Sequence, residues 1–172
     1  VIYGVPHSGP RFPYLDKSVD VMFVVAYHAK SGTQWGTLEH TMSSLHWRKV
    51  KVNGQEVGEL GIDAGLAGAA GVPVVLVTGD DKVCKEARQL FGKVETVAVK
   101  QGLGRHRAMC LSPEKARARI KAAAERALAL KGKIKPLVFK SPTEVAITYK
   151  HTESADGAAL NSPDEKRIDA FT

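Results

Sequence analysis

Apolar runs alternate with helical patterns along the chain, the order expected of an α/β fold with a largely parallel sheet flanked by helices. Residues 20–27 (DVMFVVAY) are short, β-branched and apolar on both faces, which predicts a buried strand. Residues 46–52 predict a strand that enters a tight turn at Asn53-Gly54, a pair that readily takes positive φ. From Val57 to Ala70 the spacing of Leu60, Ala64, Ala67 and Ala70 predicts a helix. Buried strands are expected at 72–79 and 94–99. Between them Asp80 can cap a helix over 81–91, with Gly92 at its C′ position.

The helix over 57–70 carries Gly61, Gly65 and Gly68 in its interior. Each costs up to about 1 kcal/mol relative to Ala, so three of them imply a neighbour whose backbone comes close. Farther on, Ser112-Pro113-Glu114 combines a cap, Pro at the first helical position and an acid for the dipole. Ile120, Ala123, Ala127 and Leu130 form the buried stripe of that helix, and Gly132 is expected to end it. Residues 143–149 alternate as a strand does. The division expected is a core over 1–150 and a polar C-terminal segment over 151–172, with a possible further element beginning at Ile168.

Composition narrows the class. The 172 residues suffice for one substantial core. No apolar run reaches the ~18 residues of a membrane span, and the opening VIYGVPHSGP has neither the basic nor the apolar region of a signal peptide. The chain does not begin with Met, so it is expected to start inside something longer. Cys84 and Cys110 are the only cysteines; they form no Cys-x-x-Cys pair, which points to a reducing, cytoplasmic setting and away from thiolate zinc. A net charge of +7 invites nucleic acid, but the basic residues are spread along the chain and no recognition motif accompanies them.

Imidazoles and carboxylates remain as possible ligands. His28 directly follows the strand 20–27, and functional groups of open α/β sheets gather at the carboxyl ends of strands; a histidine bonded to a nearby carbonyl fits the same position. Glu59 falls in the first turn of the glycine-rich helix, where the dipole favours the ionised form, as it does for any helix-stabilising acid. His40 lies twelve residues after His28, in a loop-like stretch where it can serve as acid, base or transition-state stabiliser. His7, His46, His106 and His151 read as surface or structural. Residues 102–107 read as a glycine-rich cationic loop suited to a carboxylate, a phosphate or a subunit contact.

Three blocks in order, AYHAKSGTQWGTLEHTMSS (26–44), VNGQEVGELGIDAGLAGAAGVPVVLVTGDD (52–81) and VAVKQGLGRHRAMCLSPEKA (97–116), closely resemble the DppA-type zinc-dependent D-aminopeptidases. The likeness extends from Val1 to about Tyr149. It implies an α/β core with a metal site at the carboxyl ends of strands, two zinc ions, short peptide substrates with N-terminal D-amino acids, and a ring-like homo-oligomer. By motif, His28 and Glu59 match metal ligands, and His40 matches a histidine with a direct catalytic role beside the metals. The family's Ser-x-Asp-x-Glu-Gly and Asp-Ser-His segments, which supply three further ligands, have no counterpart here, so the complete site is expected to need residues beyond these. Two readings stand beside the peptidase: a metal-dependent amidohydrolase with another substrate, and a non-catalytic binding or assembly module of the same fold. Neither specific nucleic-acid binding nor a membrane is implied.

Overall fold

A computed structural model describes residues 11–161 and 164–172. Its centre is a four-stranded sheet in the order β1 (Met22–Tyr27), β4 (Val74–Asp80), β5 (Glu95–Gly104) and β6 (Arg107–Cys110). The first three strands run parallel, and β6 returns antiparallel to β5. Every residue of β4 is buried, as the continuous apolar run 72–79 predicts for a strand covered on both faces. Helices α1 (Glu59–Ala69) and α2 (Asp81–Phe91) share one apolar cluster with β1 and β4, through Leu60, Ala64, Val83 and Ala87. Helix α3 (Pro113–Leu128) brings Ala123 and Ala127 into a second cluster with Val75, Leu76 and Val97. The expected largely parallel sheet flanked by helices is the observed one.

Beside it stands a second, antiparallel sheet of three strands, β3 (Gln55–Val57), β2 (Trp47–Val52) and β7 (Val145–Tyr149). Val52 pairs with Gln55, which leaves Asn53-Gly54 as a two-residue turn with φ of 49° and 80°, the left-handed pair that matches strand twist. Ile62 packs on this sheet with Val50, Val52 and Phe139. Helix α1 is therefore gripped from two sides. Its glycines serve that grip: a Cβ on Gly65 would collide with the Phe139 ring, and one on Gly68 with the Leu137 backbone.

Local signals set the helix ends. The Asp80 carboxylate accepts from the N–H groups of Lys82 and Val83 and caps α2, and Gly92 closes it with φ of 67°. The Ser112 hydroxyl caps α3.

Several expectations need correction. Strand β1 is not buried on both faces: Val24 is, but Val25 is 55% exposed, because β1 is the sheet edge and pairs with β4 alone among the described residues. Helix α3 ends at Leu128, and successive i+3 turns, such as Leu130 N–H to the Ala127 carbonyl, carry the chain to Gly132. The stretch 102–107 is the tip of the β5–β6 hairpin rather than an open loop. The polar C-terminal segment forms a helix, α4 (Thr152–Asn161), while Ile168 to Phe171 adopt neither helix nor strand.

Candidate metal centre

The site gathers at the carboxyl end of β1, where three pieces of chain meet. His28 is the first residue after β1. The strand ends in a bulge, with Ala26 at φ of 60° and its N–H on the Thr78 hydroxyl, which redirects the chain toward α1. Glu59 opens α1 directly after the small sheet, since Gly58 alone separates it from β3. His40 sits in a strap, residues 28–46, with no helix or strand of its own.

Polar contacts to carboxylates fold the strap. The Lys30 N–H donates to Glu86, the Thr37 N–H to Asp80 and the Gly32 N–H to Glu39. The Arg105 guanidinium pairs with Glu39 from the hairpin tip, so this cation already has its anion. Trp35, Leu38 and Met42 take positive φ values of 62°, 53° and 59°, an uncommon state for non-glycine residues that persists only where the surroundings over-determine it.

One donor atom each of His28, His40 and Glu59 lies within 4.8 Å of the other two. The Nε2 atoms of His28 and His40 stand 3.8 Å and 3.9 Å from Glu59 Oε2. The imidazole rings stack, with centroids 3.8 Å apart and planes 18° apart. Each ring turns its Nδ1 to a carbonyl, that of Ala29 for His28 (3.2 Å) and that of Leu38 for His40 (2.7 Å). A carbonyl only accepts, so Nδ1 carries the proton in both neutral rings and both Nε2 atoms present lone pairs. Two lone pairs thus face a carboxylate oxygen, a set of acceptors that a bound cation satisfies.

Electrostatics favour the ligating forms. Burial pushes His28 below the ordinary imidazole range, despite the opposing Ala29 carbonyl and Glu59. Burial works against the Glu59 charge, but the Met42 N–H, 2.8 Å from Oε2, and the Arg11 guanidinium outweigh it and hold the carboxyl below its ordinary range. A neutral imidazole at His28 and an ionised carboxylate at Glu59 suit zinc, whose bonds of about 2.0–2.2 Å set donors about 3.3 Å apart in a tetrahedron. The His28 Nε2–Glu59 Oε2 separation of 3.8 Å needs to close by roughly half an ångström to meet that geometry. The donor set fits.

Sequence reading did not single out three neighbours. Arg11 places Nη2 2.6 Å from Glu59 Oε1 and Nε 2.5 Å from Asp63 Oδ1. The Tyr27 hydroxyl donates to Asp63 Oδ2 at 2.5 Å; burial, then this hydrogen bond to Asp63, raises the Tyr27 pKa far above the usual phenol range. Asp63 was detectable in principle, being i+4 from Glu59 and so on the same helix face. Arg11, 48 residues from Glu59, gave no local signal.

A family model described as D-aminopeptidase matches residues 1–172. The chain belongs to the D-aminopeptidase family. A D-aminopeptidase of Bacillus subtilis (strain 168) is 37% identical over 146 residues, covering 85% of this chain and 53% of that protein. The solved structure of the zinc-dependent D-aminopeptidase DppA from Bacillus subtilis, a self-compartmentalizing protease, superposes with a TM-score of 0.87 at 34% identity over 92% of this chain and 57% of the other. The chain thus spans a little over half the length of these D-aminopeptidases. Among the described residues no helix is long and apolar enough to cross a membrane.

Proposed function

We propose that the protein of which this chain is part is a zinc-dependent aminopeptidase, with His28 and Glu59 as metal ligands and His40 as the catalytic side chain beside them. One observation carries the reading: two imidazoles with Nδ1 fixed on carbonyls aim their Nε2 lone pairs at the same ionised carboxylate. Zinc bound there supplies Lewis acidity toward a peptide carbonyl and acidifies a bound water. His28 and Glu59 keep their donor atoms converged. The Leu38 carbonyl orients His40, whose free Nε2 can take up a proton and return it to the leaving amine. A groove of about 380 Å³ lined by Met42, Trp47, Ile62, Leu66 and Phe139 offers room for an apolar peptide side chain.

The ordered family blocks and the D-aminopeptidase relatives support short peptides with N-terminal D-residues as substrates, two zinc ions in the complete site, residues 1–150 as the core and a homo-oligomer, and the two cysteines, in no Cys-x-x-Cys pair, support a cytoplasmic setting. In the full-length protein, chelation should abolish hydrolysis of D-Ala dipeptides and zinc should restore it. Replacing Glu59→Gln should weaken zinc binding sharply. Unchanged zinc affinity in that variant removes Glu59 from the ligand set, and equal turnover of L-Ala dipeptides removes the stereopreference.

A further inference from the structure

Glu59 has two oxygens, and only Oε2 faces the histidines. Oε1 is turned away and bound by Arg11 Nη2 at 2.6 Å. Arg11 is itself held: its Nε and Nη2 grip Asp63 as a fork, at 2.5 Å and 3.2 Å. Asp63 is buried, its residue 3% exposed, and its second oxygen also accepts the Tyr27 hydroxyl. Tyr27 in turn precedes His28 in the chain and stacks on its ring, centroids 5.0 Å apart. A closed path therefore runs from one candidate ligand to the other through three side chains that touch no metal.

We infer that Arg11 and Asp63, with Tyr27, are positioning residues that fix Glu59 as a one-oxygen ligand and register it against His28. The inference rests on the metal-centre reading above. Its physical basis is geometric. A free carboxylate rotates about its last bond and presents either oxygen, or both; a guanidinium bound to Oε1 and a backbone N–H on Oε2 leave one orientation. A planar, forked donor is required for Arg11 to hold Asp63 with two nitrogens while reaching Glu59 with one of them, which an ammonium cannot reproduce.

Charge arithmetic makes the role separable from simple attraction. Arg11 contributes +1, and Asp63 and Glu59 contribute −1 each, so the group carries −1 toward a cation. Arg11→Gln makes it −2. On charge alone that variant binds zinc more tightly than the parent, whereas loss of positioning makes it bind more weakly. The double variant Arg11→Gln/Asp63→Asn returns the group to −1 and leaves the buried Asp63 position uncharged, so the net charge facing the cation is that of the parent. Tyr27→Phe removes one hydroxyl and nothing else.

The test measures zinc affinity of the full-length protein by competition with a chromophoric chelator, with the melting curve of the zinc-free form recorded for each variant. Positioning predicts weaker binding by about tenfold or more for both Arg11→Gln and the double variant, and a smaller loss for Tyr27→Phe. Should Arg11→Gln unfold, the double variant decides. Affinity in the double variant within twofold of the parent, or tighter binding in a folded Arg11→Gln, overturns the inference while leaving the metal centre standing. Absence of zinc binding in the parent, or full binding in Glu59→Gln, overturns the metal-centre reading and this one with it.

Discussion

Gly68→Ala probes the grip on α1, and its sign is set by two opposed effects. An alanine in a helix interior gains about 1 kcal/mol over glycine. At Gly68, however, a Cβ would lie 2.6 Å from the Leu137 carbonyl carbon and 3.2 Å from its nitrogen. Backbone atoms cannot rotate aside, so the segment around Leu137 must shift, and with it the packing of Leu137 on the first cluster and Phe139 on the third. Overpacking of a filled interior costs about 1–3 kcal/mol, with the upper end expected where the neighbour is main chain. The net is about 1–2 kcal/mol of destabilisation, or a fall in Tm of about 2–8 °C for a chain of this size. Gly157→Ala in α4 supplies the control, because nothing lies within 4 Å of the added Cβ; there the helix gain stands alone and Tm should rise by about 2 °C. Urea and thermal melts of the two variants beside the parent decide the matter. A Gly68→Ala protein as stable as the parent refutes the close-approach argument.

Asp80→Ala removes the α2 cap and the Thr37 anchor of the strap together; it should cost about 2 kcal/mol in a urea melt, and a loss under about 0.5 kcal/mol contradicts the double role. In the zinc-free chain, the unfolded state protonates His28 near 6.5 and the folded state only at lower pH. Unfolding then takes up a proton, so stability falls as pH drops from 6.5 toward the folded value; His28→Gln should flatten that slope, and a parent equally stable across the window argues against it. Cys84 is buried, and burial pushes its thiol up to about 11, while Cys110 is exposed. A disulfide reagent at neutral pH should therefore modify one thiol per native chain quickly and two only after unfolding.

Periodicity made most of the fold legible, because caps and turns are local devices. Asp80, Gly92, Ser112 and Asn53-Gly54 act within a few residues of themselves, and each stands where the chain implied. The second sheet was hidden for the opposite reason: β2 meets β7 across some ninety residues, a pairing that alternation alone cannot announce. At the site, His28, His40 and Glu59 were found through motif likeness more than physics. Their convergence depends on the Ala26 bulge and on a strap folded by carboxylates from α2 and by Arg105 from the hairpin, none of which has a sequence period. At the tip 102–107 composition left an anion site and a subunit contact equally open, because no sequence period announces that Gly102 lets the Trp35 carbonyl pass close by or that Arg105 holds Glu39.

The two proposed ligands come from different parts of the molecule, His28 from the end of the large sheet and Glu59 from the exit of the small one. An ion shared between them makes separation of the two sheets conditional on its release, so occupancy and sheet-to-sheet cohesion become linked equilibria. Amide hydrogen exchange in the β2–β3 hairpin, which contributes no ligand itself, should slow in step with ion concentration and thereby report on the centre from a distance.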